Sequence, residues 1–204
     1  MTDEFTVYLV DDDAGVRKGL SRLLRTKGYE VQAYSSPQEF LLQHDPAASG
    51  CAVLDVAMPG LNGLGLQQAL TAQGSHRPVI FITGKGDVPT SVRAMKAGAL
   101  DFLTKPVKET DLLEAIQRAK TRDGEQRRAD SELDSIQAMI SSLTPREREV
   151  LGHVVAGRLN KQIAGDLGTA EKTIKVHRGR VMEKLGVRGI ADLVRLAEKA
   201  GIAK

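Results

Sequence analysis

The amino-acid sequence predicts an α/β domain built on a doubly wound, five-stranded parallel sheet, followed by a small all-α domain of four helices. Two observations carry the first half. Short apolar runs recur through Lys120, and segments of helical periodicity separate them. A third carries the second half: Thr144-Pro145-Arg146-Glu147 has the pattern of a capping box with proline at the first helical position, and glycines punctuate the remaining residues of the chain.

Residues 6–10, 30–34, 51–54, 79–83 and 101–103 read as strands. Tyr8-Leu9-Val10, Ala52-Val53-Leu54 and Val79-Ile80-Phe81-Ile82 are apolar throughout, as suits strands covered on both faces. Helical spacing joins Val16, Leu20, Leu23 and Leu24, and later Leu112, Leu113 and Ile116. Ser36-Pro37-Gln38-Glu39 starts the second helix as a capping box with proline at its first position. Cys51 packs as a small apolar residue in a buried strand. With flavodoxin-like strand order, strands one and three are neighbours, and a ligand binds beyond the carboxyl ends of the strands. Residues 1–123 form this domain. Residues 124–140 form a helical linker, and Leu133, Ile136, Met139 and Ile140 make an apolar stripe that packs on its own chain. Residues 141–204 form the second domain, with helices at 145–156, 161–167, 170–185 and 190–200.

Hydrophobic residues are 41% of the 204 and charged residues 27%, ordinary for a globular chain. No apolar run approaches the roughly 20 residues that span a membrane. Met1-Thr2-Asp3-Glu4 is acidic with no apolar segment behind it, so no secretory signal is expected. One cysteine excludes an internal disulfide and a cysteine-built metal cage. A cytoplasmic protein is expected. The net charge of +3 is unevenly spread: residues 1–123 hold 14 basic and 15 acidic side chains, residues 144–204 hold 13 and 7. A net of −1 beside a net of +6 points to different partners for the two parts, and the basic helical part has the footprint of a polyanion binder.

Asp11, Asp12 and Asp13 follow the first strand and Asp55 ends the third, so both groups lie at the carboxyl edge of the sheet. Gathered carboxylates repel one another and favour a divalent cation. Oxygen ligands without histidine or cysteine point to Mg²⁺. Asp13 is read as a helix cap. Lys105 adds a cation to the same edge and Thr83 a hydroxyl, and the set suits phosphoryl transfer. Gly84-Lys85-Gly86 lacks the spacing and position of a nucleotide-binding phosphate loop.

Val10-Asp11-Asp12-Asp13, Leu54-Asp55-Val56-Ala57-Met58-Pro59-Gly60, Ile82-Thr83-Gly84 and Lys105-Pro106 resemble the signature of response-regulator receiver domains, over roughly residues 5–123. The resemblance implies that Asp55 accepts a phosphoryl group from a sensor histidine kinase. It implies that Asp11, Asp12, Asp55 and the backbone carbonyl of Ala57 hold Mg²⁺, and that Lys105 pairs with the phosphoryl oxygens. The Lys105–Pro106 bond is expected to be cis. Thr83 and Phe102 match the family's switch pair: the hydroxyl moves to the phosphate and the ring turns inward into the vacated space.

Residues 161–185 read as helix, tight turn at Gly168-Thr169, helix, with Thr169 as N-cap of the second. Projected at 100° per residue, Ile174, His177, Val181 and Leu185 share one face. Lys172, Val176, Gly179 and Arg180 occupy the opposite face, with Lys175 on its flank. Basic residues with a small gap and one apolar residue suit the major groove of double-stranded DNA. Thr173 and Arg178 complete the candidate DNA-contacting set. His177 is read as a structural hydrogen-bonding residue. Leu143-Thr144-Pro145-Arg146-Glu147, Gly157, Asn160-Lys161-Gln162-Ile163-Ala164, Thr173-Ile174-Lys175-Val176-His177 and Lys184-Leu185-Gly186 resemble the LuxR-type helix-turn-helix domain over roughly residues 141–204. Joined to the receiver, they make the whole chain similar to FixJ/NarL-type response regulators, FixJ-like proteins foremost.

The expected function is that of a two-component response regulator: a DNA-binding transcriptional regulator, read as an activator, controlled by phosphorylation of Asp55. By the resemblance, phosphorylation remodels residues 88–97 and 101–103 and receivers pair there. A homodimer on an inverted-repeat promoter site is expected, with RNA polymerase as a further partner and no membrane. The only expected chemistry is self-directed, phosphoryl transfer to Asp55 and hydrolysis from it. One rival is a Mg²⁺-dependent phosphohydrolase; the basic module and the lack of a substrate-specificity segment stand against it. The other is a DNA-binding protein with a phosphorylation-independent receiver, against which the complete set of Asp11, Asp12, Asp55, Thr83 and Lys105 stands.

Overall fold

Five parallel strands, β1 (Thr6–Val10), β2 (Glu30–Tyr34), β3 (Gly50–Asp55), β4 (Val79–Thr83) and β5 (Asp101–Thr104), pair in the order β2-β1-β3-β4-β5 in a computed structural model of the protein, which describes residues 5–84 and 88–202. Residues 1–4, and Lys85 and Gly86 of the glycine-flanked segment, lie outside the described residues. Around the sheet lie α1 (Ala14–Thr26), α2 (Pro37–Gln43), α3 (Gly63–Ala72), α4 (Val88–Lys96) and the first part of α5 (Glu109–Ser141).

Alternation along the strands feeds two cores. Val7 and Leu9 of β1, Val53 of β3, and Ile80 and Ile82 of β4 pack with Leu24 of α1 and Leu112, Ala115 and Ile116 of α5. Tyr8 and Val10, Ala52 and Leu54, and Phe81 face the other way, onto Phe40 of α2, Leu66 and Leu70 of α3 and Ala94 of α4. Each buried Leu or Phe contributes on the order of 1.5–3 kcal/mol, so the strands are held mainly by what covers their two faces.

Local signals set the helix starts. Asp13 caps α1, its Oδ1 accepting from Gly15 N at 2.7 Å and Val16 N at 3.1 Å. Ser36 caps α2 through Glu39 N at 3.2 Å. The return arm differs from the expected capping box. Glu39 Oε2 accepts from the backbone N–H and the hydroxyl of Ser35, both at 2.7 Å, because Ser35 offers two donors there.

The described residues fall into two compact units divided between Arg127 and Arg128, inside α5. Residues 124–140 are helical throughout; 124–127 belong to the first unit and 128–140 to the second. Met139 and Ile140 pack against the core of the second unit and Ile136 is buried, while Leu133 is exposed.

The second unit continues with α6 (Pro145–Val155), α7 (Asn160–Asp166), α8 (Glu171–Lys184) and α9 (Ile190–Lys199) around Leu143, Val150, Leu151, Ile163, Ile174, Val181, Leu185 and Leu193. The expected N-cap of α8 is corrected: Ala170 occupies that position, with no side-chain cap bond. Thr169 is spent on α7 instead. Its N–H donates to Ala164 O at 3.0 Å and that of Gly168, at φ +60°, donates to Gly165 O at 3.3 Å. This is a Schellman stop, which needs the left-handed glycine and uses the backbone of the residue after it.

The capping box at the start of α6 is complete. Thr144 Oγ1 accepts from Glu147 N, and Glu147 Oε2 accepts from Thr144 N at 2.9 Å. The same carboxylate receives Lys184 Nζ from α8 at 2.7 Å. Lys184, then the Thr144 N–H, hold the Glu147 carboxyl down at about 2, against an ordinary value of 4.5. A depressed folded-state value means that this carboxylate stabilises fully above pH 4.5 and that its contribution is lost as pH falls through about 2. Glu147→Gln should cost on the order of 1–2 kcal/mol near neutrality. It should also flatten the acid limb of stability, so that variant and wild type converge in thermal melts as the pH approaches 2. A constant gap across that range would contradict the pairing.

Candidate functional site

Parallel pairing of β1 with β3 sets Val10 beside Leu54, so the next residues, Asp11 and Asp55, emerge at one edge. Asp11 is fully buried, Asp55 is 3% exposed, and Asp12 is exposed. One carboxylate oxygen from each lies within 4.8 Å of the others. Lys105 enters from the end of β5, its N–H donating to Thr83 O at 2.7 Å, and its bond to Pro106 is cis. Its Nζ lies 2.7 Å from Asp11 Oδ2 and 3.0 Å from Asp55 Oδ1.

Two residues outside the predicted set orient Asp11. The backbone N–H of Asp13 donates to Asp11 Oδ1 at 2.9 Å, and Arg17 Nη1 donates to Asp11 O at 2.6 Å. Asp13 itself is a helix cap, as its sequence position suggests. Arg17 had only one signal, a cation one turn into the helix after the acids. Gly63 is also required: a Cβ there would lie 2.3 Å from Asp55 O, so only glycine lets α3 start against the end of β3.

Burial raises the Asp55 carboxyl above its usual range; Lys105 draws it back, and Asp11 and Asp12 push it up. Burial pulls Lys105 down, but its hydrogen bonds to Asp11 and Asp55 outweigh that and leave it raised. Three carboxylates against one ammonium leave formal charge −2 at an opening made only of oxygen ligands, which fits a hard divalent cation. Ala57 is exposed on the loop after β3. Thr83, 2% exposed, ends β4 beside Thr104. Phe102 is half-buried, its ring tilted at 52° to that of Phe81 with centroids 6.4 Å apart. Cys51 is buried, which pushes its thiol up to about 12 and leaves it apolar in character.

In the second unit, Ile174, Val181 and Leu185 of the α8 face are buried. Lys172, Thr173, Lys175, Val176, Gly179 and Arg180 are exposed, and a Cβ at Gly179 would meet open space. Arg178 stands apart from them. It is half-buried, with Nη1 donating to Asn160 Oδ1 of α7 at 2.9 Å. Helical projection already sets it beside the buried face rather than beside Lys172. The hydrogen-bonding role expected of His177 is not seen at Nδ1, which is buried without a partner.

Among the described residues, no helix is long and apolar enough to cross a membrane. Residues 7–117 match the response regulator receiver domain, and residues 141–197 match the bacterial regulatory proteins of the luxR family. The chain is 45% identical over 197 residues to Nodulation protein W of Bradyrhizobium diazoefficiens, covering 97% of this chain and 87% of that protein. It is 41% identical to the transcriptional regulatory protein FixJ of Azorhizobium caulinodans, covering 100% of this chain and 96% of that protein. The solved structure of the response regulator StyR is similar with a TM-score of 0.85 at 49% identity, covering 96% of this chain and 99% of that one.

Removing Lys105 tests the electrostatics of the pocket. Lys105→Met leaves two buried carboxylates without their cation and should cost on the order of 3 kcal/mol at pH 7. It should also raise Asp55 further. A raised folded-state carboxyl destabilises where it is ionised, so the deficit should shrink as pH falls towards the ordinary value of 3.8. Denaturant titrations at pH 7 and pH 5 read this; a deficit independent of pH would show that Lys105 does not compensate those charges.

Proposed function

The chain belongs to the response regulators that join a receiver domain to a LuxR-family DNA-binding domain, and from that premise we propose that phosphorylation of Asp55 switches its binding to DNA. It is a transcription regulator with a kinase partner, and not a classical enzyme. A phosphohydrolase acting on other molecules is not favoured, since the basic module is a DNA-binding domain.

One observation carries the reading: Asp55 is buried at the sheet edge with Asp11, Asp12 and Lys105 around it. An Asp55 oxygen attacks phosphorus as the bond to the kinase's histidine nitrogen breaks, and the electron pair leaves with that nitrogen. Lys105 Nζ, already at Asp55 Oδ1, pairs with the phosphoryl oxygens. Asp11, Asp12, Asp55 and the Ala57 carbonyl would hold Mg²⁺, which when bound neutralises charge that develops in the transfer. The Thr83 hydroxyl turns to the phosphoryl group, and the half-buried Phe102 ring moves into the space released.

The face of α4 and β5 is remodelled, and two receivers pair there. Pairing makes the second DNA contact intramolecular, so a modest dimerisation signal yields a large gain in apparent affinity. Lys172, Thr173, Lys175, Val176, Gly179 and Arg180 contact an inverted-repeat site, with Arg178 positioning α7 against α8 through Asn160. Bound there in the cytoplasm, the dimer engages RNA polymerase and activates transcription.

With Mg²⁺ and acetyl phosphate, the protein should gain one phosphoryl group and sediment as a dimer. Asp55→Asn should abolish both changes, and Asp12→Ala should weaken Mg²⁺ binding and slow labelling. Labelling of Asp55→Asn at the wild-type level would remove the phosphoacceptor assignment. Lys172→Ala or Arg180→Ala should weaken operator binding by about 1–3 kcal/mol where the side chain reads a base edge. A phosphate contact instead gives a similar loss on a scrambled duplex and lowers the salt slope by about one unit. Titration of both duplexes at two salt concentrations separates these cases; unchanged affinity in both variants would mean that α8 does not face DNA.

A further inference from the structure

One anion stands on the face of α8 assigned to DNA. Projected at 100° per residue, Glu183 falls within about 40° of Lys172, Val176 and Gly179, on the side opposite Ile174, Val181 and Leu185. It is exposed, and among the described residues its carboxylate has no ion pair or hydrogen bond. Lys184, its neighbour in sequence, is bound to Glu147 of α6 at 2.7 Å. Glu183 also lies in the last turn of α8, where the helix dipole disfavours a negative charge. Neither packing nor helix electrostatics favours a carboxylate there. The outer line of α8 thus changes along its length, from a cation through an apolar residue and an open glycine to an anion.

The rise of the helix separates the two ends of that line. At about 1.5 Å per residue, Lys172 to Gly179 spans about 10 Å and Lys172 to Glu183 about 16 Å. The major groove is about 12 Å wide, and a recognition helix sets its N-terminal residues on base edges. The stretch from Lys172 to Gly179 fits within that width. Glu183 lies beyond it, level with the phosphates that bound the groove.

We propose that Glu183 is a repulsive determinant, its carboxylate facing the DNA backbone at the end of the contact and weakening binding to any duplex. This rests on α8 facing DNA. Two like charges a few ångströms apart in water oppose binding by about three- to fivefold. An unpaired module then holds DNA more weakly than its cations alone would allow, so binding leans on pairing.

Titration of the full chain with an inverted-repeat duplex selected from a random pool, and with its scrambled counterpart, at two salt concentrations tests it. Glu183→Gln should bind both duplexes about three- to fivefold more tightly at low salt, with a smaller gain at high salt. Glu183→Lys adds a phosphate contact and should steepen the salt slope by about one unit on both. Thermal melts should show neither variant less stable than wild type, since both relieve the clash with the helix dipole. Unchanged affinity in both variants, while Lys172→Ala weakens binding, overturns this inference alone. Unchanged affinity in Lys172→Ala and Arg180→Ala as well overturns the placement of α8 with it. A weaker complex of Glu183→Gln with the selected duplex only would mean that Glu183 accepts from a cytosine amino group, and it too overturns the proposal.

Discussion

The Lys105 ammonium between two buried carboxylates is the interaction on which the first unit's chemistry depends. Burial raises the Asp55 carboxyl and the charges of Asp11 and Asp12 push it the same way; the hydrogen bond and charge of Lys105 are what oppose them. The sheet creates this situation. Strands apolar on both faces must be covered by helices on both sides, so polar groups are expelled to the strand ends. The parallel β1–β3 and β4–β5 pairings then bring Asp11, Asp55, Thr83 and Lys105 to the same edge.

That arrangement is poised because it is undercompensated. One lysine serves two carboxylates, and a third, Asp12, stands at the opening. Adding a cation would relieve the excess negative charge, and the proposed phosphoryl group on Asp55 would give Lys105 a new partner. The backbone bond from Lys105 N to Thr83 O ties the end of β4 to the residue that follows β5.

The second unit solves a different problem, holding a basic helix still without spending the cations of its outer face. Glu147 takes Lys184, at the end of α8, and Asn160 takes Arg178, on its flank. Ile174, Val181 and Leu185 anchor the inner face in the core. Lys172, Lys175 and Arg180 remain exposed. Rigidity and charge are thus assigned to different residues of one helix, as recognition of a polyanion needs.

The strands, the carboxylate edge and the exposed face of α8 were legible in the sequence from short apolar runs, the 3.6-residue period and the rule that parallel strands carry function at their carboxyl ends, while the pairing of strands one and three came from the doubly wound fold class. The departures lie in hydrogen bonding. Glu39 turned to Ser35 rather than Ser36, Thr169 closed α7 rather than capping α8, and His177 left Nδ1 without a partner. Periodicity assigns a residue to a face; it does not say which of several donors within reach will win. By itself the sequence determined which residues lie at which end of the sheet and on which side of each helix, through short-range periodicity. Only the tertiary structure decided which polar atoms are paired and which are left over, because that depends on distances between segments far apart in the chain.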